Sequence, residues 1–315
     1  MRRAPAGPAR APTPPWRARR GLRGSGVRTR AVLGLLALAC SAGVRAQLGE
    51  PGPDVGEGLN PGTQRPLWEF GLGVGALRLP DYPGSDVSHG YVLPWPYLVY
   101  RGSWFKADRD GARAVLLKSQ GVNVDVSAGA TPPTNSADDG ARAGMPNLPG
   151  TAELGPSLNI RLARSSEQHW RLELRLPVRA GLSLQRSPQF VGTTFSPNLN
   201  LDLAGAQGRW NLGVLSGPKF ADQRFNGFYY SVPAADATAS RPAYRAGGGY
   251  AGWQFAASAS ARWGPTWVGA FVREDRLQGA VFEDSPLVRR RTGLTVGFGI
   301  SWILATSTEL VASSD

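Results

Sequence analysis

His89 closes the stretch Ser85-Asp86-Val87-Ser88-His89, which gathers hydroxyls, a carboxylate and an imidazole in one short segment. Hydrolytic chemistry needs its nucleophile, base and orienting acid in a fixed geometry, usually assembled from separate elements rather than from neighbours in a glycine-rich loop. The stretch therefore reads as a loop, with a hydrolase using Ser88 and His89 as an alternative to test. His169, the other histidine, precedes a strand at a turn and reads as interfacial or solvated. One cysteine, Cys40, and no paired histidines leave none of the usual zinc patterns. Asp138 and Asp139 could touch a divalent cation, but adjacent acids in a loop are normally solvated. Gly71-Leu72-Gly73-Val74-Gly75 is no phosphate loop, because its glycines alternate within a strand pattern and no helix follows. No catalytic residue, metal site or cofactor is expected.

A second set of polar residues is more informative. Glu69, Asp125, Glu153, Arg161, Arg171, Glu173, Arg175 and Asp202 each fall on the polar side of an alternating run. Both signs are present, so they either pair and plug an interior or line a narrow polar pore. Pairing is favoured, since buried charges normally have partners.

The elements that would position these charges are strands. In Gly293 to Leu304, large apolar Leu294, Val296, Phe298, Ile300 and Trp302 alternate with small or polar Thr295, Gly297, Gly299 and Ser301. A period of two sends one set to each face of a strand. A membrane barrel strand, apolar toward lipid and small or polar toward the lumen, carries this signature. The pattern recurs at Trp68 to Ala76, in the apolar row Leu93, Trp95, Tyr97 and Val99, and at Val122 to Gly129, Glu153 to Leu162, Trp170 to Arg179, Asn198 to Leu203 and Trp210 to Val214. Shorter candidates lie at Trp104 to Asp108 and Ala112 to Lys118, and two of uncertain phase at Tyr244 to Ala261 and Trp267 to Arg276. Pro94 and Pro96 predict an irregular strand.

The count is about twelve strands, with ten as the smaller alternative: an all-β, transmembrane antiparallel barrel. Short and long connections alternate, as periplasmic turns and outer loops do, except at the hairpin after the third strand. Trp68, Trp95, Trp104, Trp170, Trp210, Trp267 and Trp302 lie mostly near strand ends and read as an interfacial girdle. A secreted β-sandwich also has period-two strands. The charged face of Trp170 to Arg179 favours the barrel, since neither lipid nor a dry core accepts such charges cheaply.

The net charge of +12 first suggests a nucleic-acid partner. Ten of the 35 basic residues, however, lie in residues 1–46 with no acid among them, which leaves 25 bases against 23 acids beyond. The nucleic-acid class is thereby set aside. That basic leader runs into apolar Ala31 to Ala39 and then Val44-Arg45-Ala46, the pattern of a secretory signal cleaved near Ala46. Lipidation of Cys40, after an imperfect lipoprotein box, is the weaker alternative. Residues 47–66 read as a flexible periplasmic lead-in, 67–304 as the barrel and 305–315 as a C-terminal tail. No segment is apolar over the roughly 20 residues a spanning helix needs.

Pro80-Asp81-Tyr82-Pro83-Gly84-Ser85-Asp86, Ala141 to Leu148 (ARAGMPNL), Glu153 to Leu158 (ELGPSL), Tyr244 to Trp253 (YRAGGGYAGW) and Ser285-Pro286-Leu287-Val288 occur in the order found in the MipA/OmpV family of outer-membrane proteins, and the chain resembles that family over about residues 67–304. The resemblance implies a barrel in the cell outer membrane, with lipid around it. For the eponym of the family it implies a scaffold that brings a lytic transglycosylase together with a bifunctional murein synthase in peptidoglycan processing. Other members look like adhesins, and a small porin-like channel for polar solutes is a further alternative. Members usually end on the aromatic residue of the last strand, whereas here Ile303 to Asp315 follow Trp302.

Overall fold

In the computed structural model, residues 64–101, 105–108, 111–119, 121–165, 169–205 and 209–312 are described, without the side chains of Trp95 and of residues 105–108 and 111–119. The leader with Cys40, most of the lead-in, Trp104 and the end of the tail lie outside them.

Among the described residues fifteen strands follow in chain order. They are β1 (Gln64–Pro66), β2 (Trp68–Pro80), β3 (Ser88–Arg101), β4 (Phe105–Asp108), β5 (Gly111–Ser119), β6 (Val122–Thr131), β7 (Thr151–Arg164), β8 (Trp170–Ser183), β9 (Phe190–Phe195), β10 (Asn198–Ala204), β11 (Trp210–Ala221), β12 (Gly249–Trp263), β13 (Thr266–Arg276), β14 (Thr292–Thr306) and β15 (Leu310–Ala312). Among the described residues one α-helix, α1 (Gln223–Tyr230), sits between β11 and β12.

Strands β2 to β14 form one antiparallel sheet that closes on itself. β14 pairs with β2, and β8 and β11 both pair with β9 and β10. β9 and β10 are a single crossing: Phe195 faces Val178 and Asn198 faces Arg175 with no change of register. The ladder is interrupted at Ser196-Pro197, where Pro197 has no N–H to give. The wall is thus twelve crossings. Closure gives every wall strand a neighbour on both sides over at least part of its length, which is what lets a sheet stand in hydrocarbon. Among the described residues no helix is long and apolar enough to cross a membrane.

The large apolar residues of the alternating runs point out of the barrel and the small, polar and charged ones point in. On β2, Trp68, Phe70, Leu72 and Val74 are exposed while Glu69 is 1% exposed. Glycine on the inner row serves strand approach: a Cβ at Gly71 would run into the Trp302 carbonyl oxygen across the β14–β2 seam.

Several expectations are corrected. The row containing Tyr97 and Val99 faces inward, both residues being buried, and Leu98 takes the outward side. β3 is regular along β2 despite its prolines. The Arg101 amide donates to Leu67 O, so odd-numbered amides of β3 turn to β2. Pro94 and Pro96 therefore lie on the other edge, where β4 pairs only with Tyr100 and Arg101, and cost β2–β3 no bond. The strand foreseen from Tyr244 begins at Gly249, whose φ of 140° is open to glycine. α1 was not foreseen: Asp222 caps it, accepting from Phe225 N at 2.7 Å. Finally, lead-in and tail meet, since β1 and β15 form a two-stranded ribbon.

Candidate functional site in the barrel interior

The short-turn end of the barrel, where the β1–β15 ribbon lies, is called inner here and the long-loop end outer. At the inner end Glu69 of β2 gathers three partners from two other strands, β3 and β12. Arg101 Nη2 lies 3.1 Å from Oε1, Arg262 Nη1 2.8 Å from Oε2, and Tyr97 OH donates to Oε2 at 3.3 Å. Beside it Tyr97 packs on Trp267, ring centres 6.1 Å apart, with Val99 and Ile303 completing a small apolar cluster. Trp267 is therefore not a girdle residue. Its position puts it on the inner face, and its indole lies over Gly269, where any Cβ would collide with it.

In the inner half of β8 and beside it on β10, Arg171, Glu173, Arg175 and Asp202 form one buried network. Arg171 reaches Glu173 at 3.1 Å and Asp202 at 3.3 Å, while Arg175 reaches Glu173 at 3.1 Å and Asp202 at 3.7 Å. Alternation along β8 puts the three β8 charges on one face, and the β8–β10 register sets Asp202 directly opposite Arg171. Asn200 Nδ2 adds a bond to Asp202 at 2.8 Å. On the neighbouring wall Asn159 donates to Asp125 at 2.8 Å. Arg161 sits at a register shift near the inner end of β7, partly exposed. Higher up, Thr194 donates to Glu153 at 2.9 Å, Arg179 Nε to Ser127 at 2.9 Å, and Arg273 pairs with Asp275 at 2.6 Å. Arg179, Arg273 and Asp275 belong with the sequence-selected set. Arg179 was legible from its place in the β8 alternation, whereas β13 has Gly and Ala on both faces and gave no phase.

The outer mouth is closed by loops with an apolar core of their own. Residues 81–87, 132–150, 222–248 and 277–291 contribute Tyr82, Met145, Leu148, Phe225, Tyr229, Tyr230, Phe282 and Leu287. Tyr230 stacks on Phe282 with ring centres 3.7 Å apart. Polar groups stitch the loops: Tyr82 OH to Leu287 O at 2.8 Å, Tyr230 OH to Pro83 O at 2.8 Å, Ser285 Oγ to Tyr230 O at 2.7 Å and Arg142 Nη1 to Tyr229 O at 3.2 Å. Asp139 is no solvated acid; it is buried and accepts from Ser85 Oγ at 2.7 Å and from the Ala141 and Arg142 amides. Burial, aided by the charge of Asp139, holds the Tyr82 phenol well above its ordinary range, and burial does the same for Tyr230. The Tyr229 hydroxyl is pushed up to about 12, by burial first and then by Glu153. Between cap and lumen lies a cavity of about 70 Å³, touched by Glu153, Lys219, Tyr229, Gln254, Arg273 and Asp275, a size that holds a few waters.

His89 Nδ1 lies 2.6 Å from Asp81 Oδ1, and among the described residues its ring meets no hydroxyl. Burial raises the Asp81 carboxyl, with His89 opposing. Among the described residues no group of three or more His, Cys, Asp or Glu is placed to hold a metal ion. Trp68, Trp170, Trp210 and Trp302 are exposed and all lie toward the inner rim, joined there by Trp263.

No curated protein matches the chain. Among solved structures it is similar to a bacterial polysaccharide outer membrane secretin (9% identity, 75% of this chain and 99% of that chain, TM-score 0.38). It is also similar to outer membrane phospholipase A from Escherichia coli (10% identity, 77% and 93%, TM-score 0.28). A third likeness is to the CymD monoaromatic hydrocarbon channel (12% identity, 79% and 69%, TM-score 0.26). At such scores no functional inference follows. The family comparison is of another kind, since it spans residues 72–304, from the first wall strand to the last. The closed wall, its apolar outer face and this match make the chain an outer-membrane β-barrel of the MipA family, described as MltA-interacting protein MipA, to which it belongs.

Proposed function

We propose that this chain is a non-conducting, non-enzymatic barrel that serves as a platform for murein-processing enzymes, a lytic transglycosylase and a murein synthase, at the inner face of the outer membrane. The observation that carries the reading is the pairing of charges inside the wall beneath a packed mouth. Among the described side chains, ion pairs link β2, β3, β8, β10 and β12, and the outer mouth is packed with tyrosine and phenylalanine. Such a barrel offers partners its ends rather than a path. At the inner end the β1–β15 ribbon forms a separate two-stranded sheet, and strand addition to a free edge is a general way of taking up an extended segment. The family is described by its interaction with MltA, a lytic transglycosylase, in keeping with this reading.

The test is affinity capture from periplasmic extract with the solubilised full chain. Enrichment of a transglycosylase, reduced by Val311→Pro in the ribbon, is expected. Capture no better than that of an unrelated barrel at physiological salt would sink the platform. In planar bilayers the protein should stay silent; stepwise conductance that shifts on Glu173→Gln or Arg175→Gln would make it a channel instead.

A further inference from the structure

The outward faces of the wall strands are apolar almost throughout. On the outer half of the wall, among the described side chains, the charged exceptions are Arg78 on β2 and Glu274 and Arg276 on β13, the two strands that flank β14. In register, Arg276 stands opposite Thr292, Glu274 opposite Leu294, and Arg78 opposite Val296. Just above, the loop descending into β14 adds Arg289, Arg290 and Arg291, all exposed. That run is held in place, because the amides of both Arg289 and Arg290 donate to Gly84 O, at 2.7 and 3.0 Å.

Two of the five arginines are neutralised locally, Arg276 by Glu274 and Arg291 by Glu283, each at 2.6 Å. Arg78, Arg289 and Arg290 form no ion pair among the described residues. Asp86 and Asp284 lie in the adjoining loops, where their charges act on Tyr82 and Tyr244 of the cap. A guanidinium on the lipid face is unfavourable unless it lies near the interface and meets an anion. Below the arginines Phe298 projects from β14, exposed, with the small Ala76 of β2 and Ala270 of β13 directly opposite it in register.

We propose that the outward face of β2, β14 and β13 binds a phosphorylated lipid of the outer leaflet, its phosphates on Arg78, Arg289 and Arg290 and its acyl chains against Phe298 and the alanines flanking it. Guanidinium groups suit phosphate because they donate in a planar fork and stay charged. The site is separate from the interior and from the ribbon, so it stands or falls independently of the platform reading.

The experiment uses the full chain in detergent, stripped of lipid, with diphosphorylated lipid A as the probe and native mass spectrometry as the readout. One lipid retained per chain is expected, with retention falling at least tenfold for dephosphorylated lipid A and for the triple variant Arg78→Ser, Arg289→Ser, Arg290→Ser. An unchanged heat-dependent gel shift would show that the variant is folded, and Arg186→Ser, elsewhere on the outer surface, should retain the lipid. Equal retention of phosphorylated and dephosphorylated probe, or full retention by the triple variant, would overturn the proposal. So would equal competition by millimolar inorganic phosphate, which would indicate a site for phosphate rather than for lipid.

Discussion

The interior of the wall and the cap above it are both buried, yet they are built on opposite chemistry. Below the loops the barrel interior is held largely by ions, with Glu69, Glu173 and Asp202 each shared by two arginines. The cap is an aromatic core of the kind a soluble domain keeps inside, assembled from loops. The difference follows from solvent. A wall that turns its large apolar residues to lipid has only small and polar positions left for its inner face, and charges placed there must find each other across strands. The loops above the membrane meet water and bury apolar surface in the ordinary way.

Three experiments sharpen or break this contrast. The largest effect is expected from Phe282→Ala, which removes the ring stacked on Tyr230 and should cost the cap about 4 kcal/mol. Hydrogen exchange should accelerate in residues 81–87 and 277–291 while the heat-dependent gel shift persists; loss of both together would show that cap and wall are one cooperative unit. Next, Glu69→Ala leaves Arg101 and Arg262 facing each other without their shared acid and should cost about 3 kcal/mol. It should lower the temperature of barrel unfolding and leave cap exchange unchanged, and an unaltered midpoint would mean that the inner network is dispensable.

The smallest effect is a pH response confined to the cap. Tyr82, Tyr229 and Tyr230 hold their protons more tightly folded than unfolded, so the cap keeps its full stability below about pH 10 and loses it as pH rises further. Absorbance titration should show these phenols ionising late and only with cap opening. Tyr82→Phe, which gives up one buried hydrogen bond worth about 1 kcal/mol, should lower the cap's stability at neutral pH and, with one of the three ionising phenols gone, make its decline above about pH 10 shallower. Reversible ionisation near pH 10 with the cap still closed would contradict the burial.

The wall was largely legible in the sequence because lipid and lumen impose opposite demands on alternate residues. Where both parities carry bulk the signal fails: β3 has Tyr91, Leu93, Trp95, Tyr97 and Val99 on one row and Val92, Leu98 and Tyr100 on the other. Trp267 was misplaced for a related reason. An indole near a strand end suggests a girdle, and only the glycine two residues on reveals the space that lets it lie inward. Pairing among Glu69, Glu173, Arg175 and Asp202 could be anticipated from their signs, but their partners could not, since Arg262 reaches Glu69 from 193 residues away. The cap was least legible, because loop cores have no period. Asp222, which caps α1 and also accepts from Thr193 N at 2.8 Å, is one of many loop acids until the chain is folded.

The β1–β15 ribbon has a consequence for how the barrel comes into being. Gln64 to Pro66 and Leu310 to Ala312 lie just outside the first and last wall strands, the two that must meet at the β14–β2 seam. Joining segments so distant in the chain carries a large loop-closure entropy, and that entropy is lost once for both contacts. Whichever forms first, ribbon or seam, raises the local concentration of the other's partners. The ribbon therefore acts as a clasp on the last step of assembly, and a barrel without it would be expected to close more slowly even where its finished wall is equally stable.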